Sequence, residues 1–492
     1  MDWRLPSNST LVPTAALVVV AAVYAAAIPA VLFGLPMLYS IPMILGTLFP
    51  LAVYLSSNAR LFFLLGMIFT APLGLSINFR GHPHMGGAFA VSIYFMDFFM
   101  VPLIGFIVRD FVKRRRDDFR FSNVSTWWLM LMLLGVSSIV VGPFRQQASF
   151  EVYRMFHLWV LFLVIVNECV RERHFHSVVM AMAANVALNL LVATLEYAFK
   201  RDVGLQALGE AGADSMVGAD FGVYGTSGEV FRPSGLSGHT NLLAAYLAMT
   251  MPIFIGMLYA DYNRYVKAAL AVLLIWSGAI LGLTLSRSGW ASFGAALMLL
   301  MTGLFTLPSL RGRFKVLKMA MLAVMLAGGL AASGMILKRI TQSDPGALDF
   351  RLEWVKIAWA MVQDKPIFGF GLNSFVYHLP DYAPYSTQRM YDLFGEMWPA
   401  VHNGYMLVWS EQGTVGFFIY LCLHASVLAY AIRNLAFRGL SSKIYMISLG
   451  GACGVVAIMV DGLSSFYLRV PAPARTFWMV LALIVAAYYW NV

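Results

Sequence analysis

Apolar stretches long enough to cross a bilayer recur along the chain, separated mostly by short polar loops. A membrane helix needs about 20 mainly apolar residues. That criterion predicts helices near 11–32, 36–56, 61–78, 87–108, 126–143, 154–170, 177–198, 240–260, 268–285, 289–308, 319–336, 403–430, 444–465 and 477–491. The pattern predicts an all-α polytopic membrane protein of about 12–14 spans, with residues 1–492 forming a single membrane domain. The first apolar stretch has further spans behind it, so it reads as a first span and not as a cleaved signal peptide. Two intervals are longer and more polar, 199–239 and 337–402. In the second, Asp349 is placed to cap a helix running to the residues before Pro366, with Leu352, Val355, Trp359 and Val362 on one face. Such a helix is expected to lie along the membrane surface. The GFGLNSF segment (369–375) lacks the third glycine of a phosphate loop and reads as a turn. Internal repeats, common among transporters, are not evident.

Composition agrees with lipid as the solvent. The chain is 60% hydrophobic and 12% charged, with a mean hydropathy of +0.74; soluble domains carry about 25% charged residues. The formal net charge of +10 comes largely from short loops, which argues against nucleic-acid binding. The segment 109–120 holds six lysines and arginines, so it is expected to be cytoplasmic. Alternation then places the basic loops 171–173, 261–267, 311–318 and 433–443 on the same side, together with both termini. The intervals 199–239 and 337–402 fall on the opposite, non-cytoplasmic side. Three cysteines, Cys169, Cys422 and Cys453, show neither metal-ligand nor disulfide spacing. His82 and His84 fall on one side and His174 and His176 on the other, without a carboxylate cluster. No metal and no cofactor are expected.

The candidate chemistry lies on the outer side. Arg232 precedes a helix start at His239-Thr240-Asn241, where free N–H groups and the helix dipole favour an anion. Arg287 lies in a short turn on the same side. An interfacial arginine contacting headgroups accounts for either residue equally well. Together, however, two arginines suit a diphosphate, because the guanidinium fork binds phosphate oxygens bidentately. His402 and Asn403 precede another span, and a histidine with its ordinary pKa near 6.5 can take a proton at neutral pH. Glu411 lies about 13 Å further down that helix, where Gln412-Gly413 suggests a helix break in place of a charge partner. Asp97 and Asp461 are intramembrane acids, suited either to structural hydrogen bonding or to an ion path.

Four segments in order resemble the O-antigen ligase and O-antigen polymerase superfamily of bacterial envelope glycosyltransferases. They are FRPSGLSGHTNLLAAYL, LTLSRSGW, FRLEWVKIAWAMVQDKPIFGFGLNSF and VHNGYMLVWSEQGTVGF, within 231–417. The chain departs from many members at His239-Thr240-Asn241, where a proline often precedes the asparagine. The resemblance implies a fold like that of multi-spanning glycosyltransferases that use lipid-linked donors. It also implies metal-independent inverting transfer from an undecaprenyl-diphosphate-linked glycan, with Arg232 and Arg287 on the diphosphate and His402 as the base. Arg351, Asn403, Tyr405, Glu411, His239 and Asn241 are further candidates for substrate contact. The expected partners are the lipid-linked donor, a glycan or lipid A-core acceptor, membrane lipids and a chain-length regulator protein. Polymerisation of repeat units is the leading expectation. Ligation to lipid A-core or to protein is the alternative within this chemistry, and a lipid-linked oligosaccharide flippase is the rival of another class.

Overall fold

A computed structural model describes residues 58–79, 81, 86–113, 118–211, 231–341, 347–383, 400–437 and 439–490. The chain starts with α1 (Ala59–Thr70), a hairpin of β1 (Ser76–Phe79) and β2 (Val91–Tyr94), and α2 (Asp97–Val112). Long helices follow: α3 (Asn123–Val141), α4 (Arg145–Glu168), α5 (Glu172–Phe199), α6 (Thr240–Leu258), α7 (Arg264–Leu283), α8 (Arg287–Thr306) and α9 (Lys315–Thr341). A helix in the long outer segment, α10 (Ala347–Asp364), precedes α11 (Gly404–Ala436), α12 (Ser442–Asp461) and α13 (Pro471–Tyr489). Among the described residues, nine of these helices are long and apolar enough to cross a membrane: α3 to α8 and α11 to α13. The all-α polytopic expectation therefore holds, and the hairpin supplies the strands.

Helix ends are set by local chemistry. Ser122, Asn263, Ser286 and Ser441 are N-caps whose side chains accept backbone N–H bonds from the first turns of α3, α7, α8 and α12. Pro471 opens α13, where its missing N–H costs nothing.

Helix α6 is apolar all round and sits at the centre, with every residue from Leu242 to Met257 buried. Its closest partner is α12. A Cβ on Gly450 would strike the Pro252–Ile253 backbone, one on Gly454 the Met249 carbonyl, and one on Gly256 the Met446 carbonyl. In lipid, helix association depends on such close approach of small residues, because the medium is as apolar as the side chains. Gly454→Leu is expected to lower the thermal unfolding temperature in detergent, with a stability loss at or above the ~1–3 kcal/mol typical of overpacking. An exposed glycine such as Gly278, with open space around its Cβ position, provides the control, since Gly278→Leu should have little effect.

Several expectations change. The windows 11–32 and 36–56 lie outside the described residues, as do His82 and His84. The window 61–78 holds only the 12-residue α1 followed by β1. The window 87–108 holds β2, and α2 begins only at Asp97. The surface-helix expectation is altered as well. Helix α10 starts at Ala347, so Asp349 lies within its first turn and not at the cap. Its buried face is Trp354, Ile357, Ala358, Met361 and Val362, whereas Leu352 and Trp359 are exposed. That face packs on α11 and on the segment around Phe375, while Leu352 and Trp359 of the expected face stay exposed on the other side.

Helix α11 breaks at Gly413, which has φ 65° and ψ −171°. The 369–375 turn fills the break. Phe370 N donates to Ser410 O (3.0 Å) and Gly371 N to Glu411 O (2.8 Å), while Thr414 N donates to Pro366 O (2.7 Å). Positive φ at Gly369, Gly371 and Asn373 shapes this turn. It docks the outer segment onto the bundle and fixes the loop that leads to the site.

Candidate functional site

The N-terminal ends of α6, α8, α10 and α11 carry the predicted site residues. Arg232 is buried; its Nε donates to Thr284 O (2.7 Å) and its Nη2 to Asn241 Oδ1 (2.9 Å). Thr284 O also accepts from Thr240 Oγ1 (3.1 Å). This carbonyl is presented by the α7–α8 connection, where Leu285 adopts a left-handed φ of 50°, a conformation that costs a non-glycine residue ~1–3 kcal/mol.

The loop carrying Arg232 is held from below by α5. Glu196 accepts from Ser234 N (2.7 Å) and Gly235 N (2.9 Å), and Asn189 Oδ1 accepts from Leu236 N (3.0 Å). No local signal marks this brace, because an acid and an asparagine in an apolar helix look like isolated exceptions.

Arg287 is the first residue of α8, just after its cap Ser286. A cation at a helix N-terminus opposes the dipole, so its position there favours a bound anion. Asp461, at the end of α12, accepts from Ser465 Oγ (2.7 Å) and Ser292 Oγ (3.5 Å), and Ser288 bonds to it as well. The start of α8 is thereby fastened to the end of α12. Tyr467 bonds to Asn241 and lies within electrostatic reach of Asp461, Arg351 and Arg232. Burial pushes its hydroxyl above the ordinary range, so it stays protonated and available as a donor. Sequence reasoning missed Tyr467, Ser288, Ser292 and Ser465, and left Asp461 between structural hydrogen bonding and an ion path; the bonds it makes are of the first kind.

Two histidines border the cationic cluster. His239 caps α6, its Nδ1 accepting from Asn241 N (3.0 Å). Burial, then Arg232, His402 and Arg351, bring its pKa down to about 3. His402 packs edge-on against Phe466 at 5.4 Å, and its buried Nδ1 has no hydrogen-bond partner of good geometry. Burial, then Arg351, bring its pKa down to about 4, with the Ala400 carbonyl pulling the other way. The expectation of an ordinary histidine near 6.5 is corrected: this imidazole is neutral at pH 7. The depressed value has a stability consequence. As pH falls from the unfolded value near 6.5 toward 4, the unfolded chain takes up a proton that the folded one does not, so folding stability declines across that window.

Arg351, His239 and Asn241 thus fall in the same cluster as Arg232 and His402. Asn403 and Tyr405 have scaffold bonds. Asn403 caps α11 through Tyr405 N and Met406 N (both 3.0 Å) and reaches Leu463 O (3.0 Å), while Tyr405 OH donates to Met459 O (2.9 Å). Glu411 belongs to a separate buried network. It accepts from Arg469 Nη2 (2.5 Å), Asn373 N (2.9 Å) and Phe375 N (3.2 Å). Arg469 also pairs with Glu151 (3.0 Å), which bonds Arg154. The helix break at Gly413 is present, but Glu411 has a charge partner too, contrary to expectation. A cavity of about 50 Å³ lies among Asp461, Ser465, Tyr420, Arg469, Glu151 and Arg154, beneath the Arg232–His402 cluster and not within it. Asp97 is structural in its bonding: it accepts from Tyr94 N (2.8 Å) and pairs with His157 Nε2 (2.6 Å).

The fold and this cluster define a polytopic helical membrane protein with an arginine- and histidine-bearing site at converging helix N-termini. Residues 270–421 match the family model described as O-Antigen ligase, which bears out the resemblance to the O-antigen ligase and polymerase superfamily. Glycosyltransferase-like activity on lipid-linked glycans in a membrane goes with that family. The matched stretch includes Arg287, Arg351 and His402; Arg232, His239, Asn241 and Asp461 lie outside it. No curated protein matches the chain.

Proposed function

We propose that the chain polymerises undecaprenyl-diphosphate-linked repeat units at the periplasmic face of the bacterial inner membrane. Ligation of the glycan to lipid A-core is the alternative acceptor choice for the same chemistry. The observation that carries this reading is the grouping of Arg232, Arg351 and neutral His402 around helix N-termini, with Arg287 opening the neighbouring helix. His402 takes the proton of an acceptor hydroxyl as that oxygen attacks the anomeric carbon from the side opposite the leaving group. The C1–O bond to the diphosphate breaks, and undecaprenyl diphosphate leaves with the bonding electrons. Its growing negative charge is stabilised by Arg232 and Arg287, with Arg351 adding to the field. Arg232 is held by Thr284 and Asn241, so little reorganisation of its guanidinium accompanies the reaction.

Purified protein incubated with lipid-linked repeat units, with and without lipid A-core, tests the acceptor. A ladder of longer glycans from the repeat units alone is the expected result. A product only on lipid A-core would replace polymerase with ligase. No product with either acceptor, alongside lipid translocation in vesicles, would overturn the enzyme reading. Arg232→Lys is expected to lower kcat/KM by about tenfold or more, because lysine loses the fork that holds Thr284 O and Asn241 while facing phosphate. Steady-state kinetics of the variant provides the check.

A further inference from the structure

The β1–β2 hairpin is built inside out. Its antiparallel register pairs Ile77 with Ile93 and Phe79 with Val91, and Ser76 with Tyr94 and Asn78 with Ser92. Strand alternation puts the first four on one face and the second four on the other. On β2 the polar face is turned into the protein, while on β1 Ser76 is half-buried and Asn78 exposed. Ser92 and Tyr94 are buried, Ser92 Oγ bonds Asn78 Oδ1 (2.7 Å), and Tyr153 OH donates to Ser92 O (3.2 Å). The Tyr94 ring meets His157 at 5.4 Å and lies under the Arg475 guanidinium at 4.1 Å. The apolar face is turned out, with Ile77 51%, Phe79 48% and Ile93 45% exposed. A sheet with one wet face normally does the reverse, burying its apolar side chains and presenting polar ones.

We propose that this hairpin is an interfacial membrane wedge, with Ile77, Phe79 and Ile93 seated at the headgroup–acyl boundary of the leaflet on the candidate-site side. Three observations select lipid as the occupant. The apolar face continues into α2, which begins three residues after β2 and exposes Phe98 (58%) and Val101 (63%). The hairpin packs on Tyr153 and His157, which lie eight and twelve residues into α4, or about 12 and 18 Å below its first residue. The apolar stretch of α4 begins near 154, so both residues lie at the outer end of the span, at the level of an interface. The hydrocarbon centre is excluded, because the open strand edges leave backbone groups that need water or headgroups. The wedge is tied to the site's scaffold through the connection between its strands. Ala88 N donates to Glu151 Oε2 (3.0 Å), and Asn373 Nδ2 donates to Ala88 O (2.9 Å). The hairpin therefore sets the depth of the 369–375 turn relative to the lipid. None of this depends on the proposed reaction.

Nitroxide labels at Ile77→Cys, Phe79→Cys and Ile93→Cys, in a Cys422→Ser background, test the wedge in the full chain. The vesicles are of phosphatidylethanolamine and phosphatidylglycerol. The ratio of oxygen to nickel-chelate collisions should exceed that at a water-exposed Asp118→Cys label several-fold at all three sites. A ratio equal to the control would mean that the face meets water. Low collision with both reagents would mean that protein covers it, a second copy included. Either result would overturn the proposal. A second arm uses the unaltered protein with a lipid-soluble diazirine, which should label the peptide holding residues 76–94; an unlabelled peptide would also overturn it.

Discussion

His402→Ala is expected to reduce glycosyl transfer by about 10²–10⁴-fold, the range general-base catalysis contributes, with little change in thermal unfolding temperature. The ring's buried Nδ1 makes no well-formed hydrogen bond, so its removal leaves no polar partner stranded. The accompanying pH profile is specific. With the free-site pKa at about 4, the acid limb of kcat/KM should fall near pH 4, well below an ordinary histidine's 6.5. Arg351→Gln should move that limb upward, because it removes the positive charge that, after burial, holds the imidazole down. Bound diphosphate acts in the same direction, so the acid limb of kcat should lie above that of kcat/KM. A His402→Ala variant with near-normal transfer, or an acid limb unchanged in Arg351→Gln, would remove this residue from the mechanism.

Arg469→Met is expected to be the most destabilising single change, by about 3–5 kcal/mol, the cost of breaking a buried ion pair from one side. Arg469 lies between Glu151 and Glu411, all three buried. Its loss leaves Glu411 with only the Asn373 and Phe375 N–H donors at the Gly413 break. Adding Glu411→Gln should recover part of the loss, since the stranded charge is then removed. Thermal unfolding in detergent reads both effects; a shift below about 1 kcal/mol, the range of an exposed pair, would show that the network is not desolvated. Transfer should also weaken in the single variant, because Arg469 anchors the same short turn that carries Tyr467 toward Asn241.

The sequence made the helical membrane fold readable wherever apolar runs were long. The all-round apolar pattern of 240–260 matches the central α6, and the Ser-Arg turn at 286–287 marks the break before α8. Legibility failed where a short strand joined an apolar helix. The alternation in SINF and VSIY spans only four residues each, too few to stand out from hydropathy averaged over a 20-residue window. The inner face of α10 was not legible, because α11 and the Phe375 segment cover it and no local period reveals such a partner. Motif order identified the arginines and His402, but the elements that hold them are distant in sequence. Glu196 braces the Arg232 loop from α5, and Tyr467 approaches Asn241 from beyond α12. Nor does sequence carry burial, which is why His402 is a weaker base than its residue type suggests.

The central claim is that Arg232 and Arg287 hold a lipid-linked diphosphate. Equilibrium binding of undecaprenyl diphosphate to the purified protein, with undecaprenyl monophosphate as the comparison, tests it without requiring turnover. The account predicts tighter binding of the diphosphate and at least a tenfold weakening, about 1.4 kcal/mol, in Arg232→Gln and in Arg287→Gln. Equal affinity for both lipids, or unchanged diphosphate affinity in both variants, would contradict it.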